Sequence, residues 1–181
     1  IRTVQLFNAN ADLVATAAEI PDIVGLHCYR CEFSGPEIEP LLKNVHFRSL
    51  EISYRDLSAD DAIRIGKMRY LAELDLTRAN INADLLAYFD RLSLRTIDLT
   101  ANPFELSELG KPGWSQSAVS LELTRPHQGI EGSVDIDGWP RLRSVGITRV
   151  STRMNDATLK VRLANLPSLE IAALDRNQRH D

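Results

Sequence analysis

The sequence predicts an α/β fold in which about eight short parallel strands form one sheet and helical or irregular segments connect each strand to the next. Three observations predict it. One apolar pattern recurs eight times along the 181 residues, at steps of 22 to 27 residues. Each recurrence alternates apolar and polar residues, as a strand with one buried face does. Helix-start residues follow several of these strands. Because strand–return–strand connections are right-handed, a right-handed solenoid is expected.

The repeated pattern is clearest in IVGLHCYRCEF, residues 23–33, where core-type apolar residues stand at positions 1, 4, 6, 9 and 11. The same five positions are apolar in LAELDLTRANI (71–81), and four of them are apolar in FRSLEISYRDL (47–57) and LRTIDLTANPF (94–104). Looser matches precede and follow these segments. Positions are numbered below from the first residue of each repeat. The eight first residues are Ile1, Ile23, Phe47, Leu71, Leu94, Ala118, Leu142 and Leu169.

The segments between strands are predicted in chain order from their first residues. SGPEIEPLLKN (34–44) has Ser34 and Glu37 in capping-box spacing, with Pro36 early in the turn. Three further returns carry similar helix starts: Ser58 with Asp61, Asn82, and Asn155. The fifth and sixth returns, ELSELGKPGWSQS and GIEGSVDIDGWPR, contain Gly and Pro and are expected to be irregular.

This unit resembles the leucine-rich repeat, whose pattern is L-x-x-L-x-L-x-x-N/C-x-L with a period of 20–29 residues. The resemblance covers essentially the whole chain, and an apolar residue with Pro precedes the next strand in IPDI, WPRL and LPSL. It implies a single domain over residues 1–181, a horseshoe with the sheet on its concave side, and a protein-binding role. No linker or domain boundary interrupts the pattern.

Position 9 departs from the family pattern. In the family, an Asn or Cys side chain at this position bonds buried backbone groups in the turn. Here only Asn102 and Asn177 could do so fully, so an irregular, bacterial-type repeat is expected. The eight residues at position 9 are Ala9, Cys31, Arg55, Ala79, Asn102, Pro126, Val150 and Asn177.

Cys28 and Cys31 are the chain's two cysteines, and their C-x-x-C spacing could indicate a redox pair or half of a zinc site. Both, however, occupy positions of the repeat that face the core, where a free Cys behaves as a small hydrophobe. A structural zinc site needs four ligands, and no second pair exists. Core packing is therefore predicted, with no metal and no cofactor. Two unpaired core thiols favour a reducing compartment such as the cytoplasm.

Composition excludes some partners. The formal net charge of −4 gives no basic surface for nucleic acid. No apolar run reaches the ~20 residues of a membrane span. A repeat strand begins at residue 1, which is Ile rather than Met, and another ends close to Asp181. Exposed sheet edges invite pairing, so flanking repeats of a longer chain, or irregular caps, are expected in preference to a dimer.

Equal positions of neighbouring parallel strands should form columns about 4.8 Å apart. Position 5 predicts a column with four consecutive carboxylates, and arginines at positions 2 and 8 flank it. Three interpretations stay open: internal pairing of these charges, a recognition strip for a partner with basic groups, or a cation site. The position-5 residues are Gln5, His27, Glu51, Asp75, Asp98, Glu122, Gly146 and Ala173.

Side chains near the ends of the predicted strands also contribute to the concave face. Phe7, Tyr29 and Tyr54 are candidate aromatic anchors, or else scattered surface aromatics. A line of threonines at position 7, which includes Thr77 and Thr100, fits the strand preference of a polar outer face. Trp139 precedes a Pro at an apolar place and is predicted to be core, whereas the place of Trp114 stays open.

No catalytic motif for nucleotide binding, zinc hydrolysis or serine hydrolysis occurs in the sequence. The predicted function is a non-catalytic protein- or peptide-binding module that uses the concave face. The alternatives are a structural spacer segment with no ligand on that face, or a polysaccharide-binding or hydrolytic module that uses the carboxylates. The predicted binding residues are Phe7, Tyr29, Arg30, Glu51, Tyr54, Asp75, Arg78, Asp98, Glu122, Arg125 and Arg149.

Overall fold

A parallel sheet dominates the structure, a computed structural model that describes residues 2–103, 109, 112–124, 132–148 and 159–175. Eight of the described strands form this sheet, in the order β1-β2-β3-β4-β5-β6-β8-β10. The sheet is open, with β1 at one edge and β10 at the other. Its strands are β1 (Arg2–Phe7), β2 (Ile23–Tyr29), β3 (Ser49–Ser53), β4 (Glu73–Asp75), β5 (Thr96–Asp98), β6 (Ser120–Glu122), β8 (Ser144–Thr148) and β10 (Ile171–Asp175).

The register matches the predicted columns. Leu50 pairs with Leu74 and Leu74 with Ile97, one position-4 residue against the next. The same equal-position pairing runs from β1 through β10. The recurring pattern therefore predicted the number of strands in this sheet, their order and their alignment.

Alternate strand residues build one continuous core. Side chains at positions 4 and 6, such as Leu74 and Leu76, are 2% and 0% exposed. The side chains between them, such as Asp75, point to the opposite face of the sheet and are half-buried. We call this opposite side the polar face.

The connecting segments include three α-helices: α1 (Ala11–Ala18), α2 (Ala59–Ile65) and α3 (Ala83–Leu86). The described 3-10 segments are Gly35–Lys43, Ala87–Phe89 and Gly113–Gln116. Three of the predicted helix starts are confirmed, at Ser34, Ser58 and Asn82. The Glu37 carboxylate accepts the Ser34 N–H at 2.9 Å. Ser58 Oγ accepts from Asp61 N at 3.1 Å, and Asn82 Oδ1 accepts from Leu85 N at 3.0 Å.

Neighbouring return segments approach each other closely at two glycines. Gly66 ends α2, and a Cβ at this position would collide with the backbone carbonyl oxygen of Tyr88, in the next return. Gly113 stands in the same relation to the carbonyl of Asp90. Glycine at these two positions lets successive returns pack closely over the core.

The first five strands of the sheet, β1 to β5, are each followed by the same turn. The position-8 residue adopts a left-handed backbone with φ between 51° and 60° in five successive repeats: Asn8, Arg30, Tyr54, Arg78 and Ala101. Its N–H donates to the position-7 carbonyl of the next strand, for example Arg30 N to Ser53 O at 2.9 Å. This conformation is costly for any residue with a Cβ. The repeated turn was not predicted from the sequence.

The turn interior is filled in two different ways. Asn102 is 3% exposed and bonds buried backbone groups, since its Oδ1 accepts from Ala79 N at 3.1 Å and Ile81 N at 2.9 Å. Its Nδ2 donates to the carbonyls of Leu76 and Leu99. The other expected asparagine, Asn177, lies outside the described residues.

Arg55 replaces the amide in the third repeat. Its guanidinium lies 4.2 Å from the centre of the Phe33 ring and bonds the Phe33 carbonyl oxygen. Arg55 Nη2 also lies 3.0 Å from Oδ2 of Asp61, whose side chain is 2% exposed. A long cation and a buried anion thus complete a turn that an asparagine completes elsewhere.

Two predictions about the later returns were wrong. The sixth return was expected to be irregular, and the segment from Asn155 was expected to be helical. The structure has β7 (Gly132–Asp137) and β9 (Leu159–Ala164), which pair in parallel as a second, two-stranded sheet. SVDID and LKVRLA alternate apolar and polar residues with period two, and this favours a strand over a helix. Asn155 itself lies outside the described residues.

The cysteines and tryptophans lie in the core. Cys28 and Cys31 are 1% and 2% exposed and unbridged, as predicted, and the Cys31 thiol lies 3.6 Å from the Leu6 carbonyl oxygen. Burial raises the pKa of the Cys28 thiol, with the neighbouring Cys31 adding to the effect. Trp139 is buried as predicted, and Trp114 packs edge-on against it with ring centres 5.4 Å apart.

Candidate functional site

Four carboxylates stand side by side on the polar face. Glu51 is paired with Asp75, Asp75 with Asp98, and Asp98 with Glu122, on consecutive strands β3 to β6. All four side chains are half-buried. We call these four residues the carboxylate row. The sequence predicted both its members and their order.

Hydroxyl and amide groups two residues along each strand stabilise the row. Asp75 Oδ1 accepts from Thr77 N, and Asp98 Oδ1 accepts from Thr100 N, both at 2.8 Å. Ser53 Oγ donates to Glu51 at 2.9 Å, and Thr124 Oγ1 donates to Glu122 at 2.5 Å. Like charges on adjacent strands repel each other, and these donors partly compensate that repulsion.

The central pair of the row is electrostatically strained. Burial raises the pKa of Asp75 and of Asp98 above the ordinary aspartate value. The bonds from Thr77 and Thr100 act in the opposite direction, and the neighbouring carboxylate raises each pKa further. These two groups therefore hold their protons more tightly than exposed aspartates do.

The two ends of the row differ. At the β2 end, His27 Nδ1 lies 3.6 Å from Glu51 Oε2, and His27 Nε2 lies 3.2 Å from Ser49 Oγ. At the β8 end, the Glu122 carboxylate lies over Gly146 and occupies the space that a Cβ would need. The His27 imidazole thus lies beside the first carboxylate of the row, Glu51. The lack of a side chain at Gly146 leaves space for the last one, Glu122.

Three aromatic rings and two guanidinium groups form a second cluster at the carboxyl ends of β1 to β4. The Phe7 and Tyr29 ring centres are 6.0 Å apart, and those of Tyr29 and Tyr54 are 4.7 Å apart. Arg30 Cζ lies 5.3 Å from both tyrosine ring centres, and Arg78 Cζ lies 4.9 Å from that of Tyr54. We call Phe7, Tyr29, Arg30, Tyr54 and Arg78 the aromatic–arginine cluster.

Strand geometry explains why these side chains meet. Positions 7 and 8 of neighbouring repeats are one strand spacing apart, about 4.8 Å, which suits stacked rings. The left-handed backbone at position 8 sets the directions of Arg30, Tyr54 and Arg78. The structure therefore brings together every predicted aromatic anchor and two of the predicted binding arginines.

The structure describes only some of the other predicted arginines. Arg125 and Arg149 lie outside the described residues. Of the position-2 arginines expected to flank the row, Arg48 donates to the Val45 carbonyl at 2.7 Å, and Arg143 pairs with Glu170 at 3.1 Å. The hydrogen bonds described above for the row come from serine and threonine residues.

Sequence reasoning missed the role of position 7. It treated the threonines as strand formers, although the order acid, Leu or Ile, then Ser or Thr recurs at EIS, DLT, DLT and ELT. This spacing places a hydroxyl and an N–H donor two residues beyond each acid, which is typical of an Asx-type turn. The repeated motif was the available signal.

The described residues contain no group of three or more His, Cys, Asp or Glu side chains placed to hold a metal ion. Within the same residues, no helix combines the length and the apolar character that crossing a membrane requires. The chain matches no model of a known protein family and has no significant match among curated proteins.

Proposed function

We propose that this chain is an irregular leucine-rich-repeat protein that binds a protein or peptide ligand on the concave side of its sheet, without catalysis. The observation that carries the proposal is the aromatic–arginine cluster beside the carboxylate row, on strands aligned by a continuous hydrogen-bonded ladder. Binding residues on such a rigid support need little reorganisation when a ligand docks.

The composition of the cluster supports a recognition role. Tyrosine and arginine are enriched among the residues that dominate binding energy at protein interfaces. The Phe7 side chain is 66% exposed although it is large and apolar. Ligand contact would remove this ring from water, and the rings beside it offer a continuous apolar strip.

Backbone conformation supports the same conclusion. Arg30, Tyr54 and Arg78 hold left-handed φ angles of 53°, 59° and 53°, where Gly or Asn would be more stable. Residues that keep such a conformation at a structural cost occur disproportionately at functional sites. The large side chains at these turns are better explained by a surface they build than by the stability of the turn.

The repeat assignment rests on two structural relationships. Consecutive strands of the main sheet pair position by position, at the steps that the apolar pattern predicts. Asn102 makes the network of buried backbone bonds that the resemblance assigns to its position. Arg55 and the alanines at the same position are what make the repeat irregular.

A peptide-selection experiment tests the proposal. The wild-type chain is immobilised and presented with a phage-displayed library of random 12-residue peptides, and enriched peptides are synthesised and their Kd values measured. Phe7→Ala and Tyr54→Ala are expected to weaken binding at least tenfold. Tyr88→Ala is the matched control, because Tyr88 is 42% exposed but lies in a return segment, outside the cluster.

Melting curves of the three variants establish that the fold is retained. Enriched peptides that bind wild type and the two cluster variants equally would overturn the proposed surface. A library that yields no peptide specific for the chain would instead favour the spacer alternative.

A further inference from the structure

We infer that the ligand presents a single carboxylate to Arg30, next to an aromatic or proline side chain that packs on Phe7 and Tyr29. This inference rests on the proposed function and assigns the ligand's chemistry: a peptide with one isolated Asp or Glu and a ring-bearing residue within two positions of it.

Arg30 is held in place from two sides. Its backbone N–H donates to the Ser53 carbonyl at 2.9 Å, and its guanidinium carbon lies 5.3 Å from the ring centres of both Tyr29 and Tyr54. Stacking on two rings restricts the plane of the guanidinium without using its N–H donors. The side chain is thus oriented before any ligand arrives.

The side-chain N–H groups of Arg30 have no hydrogen-bond partner among the residues that the structure describes. The residue is exposed. Five N–H groups in a planar fork match the two oxygens of a carboxylate. The neighbouring Tyr54 ring partly shields this pair from water, which strengthens a charge-assisted hydrogen bond.

The carboxylate row limits the ligand to one acidic group. Glu51 lies on β3 three residues before Tyr54, the residue on whose ring the Arg30 guanidinium packs. The other row members lie one strand spacing apart beyond Glu51. The four carboxylates of the row outnumber the two guanidinium groups that pack on Tyr54, those of Arg30 and Arg78, so a polyanion or a doubly charged phosphate would be repelled. One carboxylate seated on the Arg30 guanidinium is neutralised there.

Phe7 indicates which kind of residue stands next to the acidic residue of the ligand. The Phe7 side chain is 66% exposed, and its ring centre lies 6.0 Å from that of Tyr29. A ligand ring stacked on Phe7 extends the row of aromatic groups, and proline packs on such surfaces at low entropic cost.

The inference is tested with an array of synthetic, acetylated and amidated octapeptides. Their central four positions vary over all residues, and binding of the full wild-type chain is measured at low salt. Peptides with one Asp or Glu near Phe, Tyr, Trp or Pro are expected to rank highest. Replacing that acid by Asn or Gln in the best peptides should weaken binding about tenfold or more.

Variants of Arg30 test whether its guanidinium recognises the acidic side chain of the peptide. Arg30→Gln should abolish the difference between acidic and amide peptides, and Arg30→Lys should remove most of it, because a lysine lacks the stacked fork. Arg91→Gln, at an exposed arginine of a return segment, is the matched control and should leave the preference intact. Unchanged melting temperatures separate recognition from folding.

The outcomes distinguish the inference from the proposed function. Peptides whose binding depends on Phe7 and Tyr54 but shows no acid preference, or keeps that preference in Arg30→Gln, would overturn the inference and leave the proposed function standing. Loss of dependence on Phe7 and Tyr54 would overturn both.

Discussion

Asp75 and Asp98 lie directly opposite each other on adjacent parallel strands, and each carboxylate accepts an N–H at 2.8 Å from the threonine two residues further along. The pairing of two half-buried like charges opposes folding, while the threonine bonds favour it. The balance between these effects leads to the first prediction.

Stability should fall as pH rises above the ordinary aspartate pKa. Because the pKa of Asp75 and of Asp98 is raised in the folded chain, the folded state binds more protons than the unfolded state between the ordinary and raised values. Unfolding free energy from these groups therefore decreases through that window and stays low at neutral pH.

Asp98→Asn should remove the repulsion between the charges of Asp75 and Asp98 and raise the unfolding free energy at pH 7 by about 0.5 kcal/mol. The amide oxygen can still accept from Thr100 N. Urea unfolding between pH 4 and pH 7.5 measures both effects. Asp56→Asn, at an exposed aspartate, is the control and should leave the pH profile unchanged. A profile for Asp98→Asn that parallels wild type would contradict the prediction.

Asn102→Ala should be among the most destabilising single changes. It removes the acceptor of the Ala79 and Ile81 N–H groups and the donor to the Leu76 and Leu99 carbonyls, and it leaves the Ala79 N–H only its 3.2 Å bond to the Leu76 oxygen. We expect a loss of at least about 3 kcal/mol, since each buried unsatisfied group costs about 1–3 kcal/mol.

The control for Asn102 is Asn10→Ala, which removes only the exposed N-cap bond to Leu13 N. Its expected cost is about 1 kcal/mol. Denaturant unfolding of both variants provides the comparison, and equal losses would show that the buried network contributes little.

Arg55 and Asp61 should show strong coupling. Arg55→Met leaves the buried Asp61 carboxylate without its cation, at an expected cost of about 3 kcal/mol. Adding Asp61→Asn should recover at least about 1 kcal/mol, because the amide keeps an oxygen for Ser58 N and carries no charge.

A double-mutant cycle on Asp60 and Arg64 is the comparison for that coupling, since their charged atoms are 3.6 Å apart and the Asp60 side chain is 80% exposed. There we expect a coupling below about 0.5 kcal/mol. Additive losses in the Arg55 and Asp61 cycle would refute the proposed role of the ion pair in the turn.

Ala101→Gly should stabilise the chain by about 0.5–1 kcal/mol. Ala101 has φ 60° at the repeated turn, a conformation that glycine adopts without the Cβ penalty. Ala87→Gly, at an exposed residue of a helical segment, should instead destabilise the chain by a similar amount. Thermal unfolding distinguishes the two, and destabilisation by both changes would contradict the strain argument.

Much of the site followed from periodicity alone. A parallel sheet with in-register repeats places equal positions side by side, so Glu51, Asp75, Asp98 and Glu122 could be assigned to one row before any coordinates. The burial of Cys28 and Trp139 followed from the same positions. These features depend only on strand spacing and on which residues are apolar.

Other features depended on atoms about two dozen residues away. The pairing of β7 with β9, the contact of Arg55 with the Phe33 ring and the placement of Arg30 over Tyr54 each join neighbouring repeats. A propensity read along one segment carries no information on such contacts. The helix predicted from Asn155 failed for a different reason, because the period-two alternation of LKVRLA and its pairing with β7 outweighed a local helix-start signal.

The amino-acid sequence by itself therefore determined the repeat, the eight-stranded sheet, the core and the membership of the carboxylate row, because all of these arise from one apolar pattern repeated at a nearly constant step. Only the tertiary structure decided how the row is stabilised, how each strand ends and which arginines meet the aromatic rings. Those outcomes depend on backbone φ angles and side-chain directions that are set by packing between repeats.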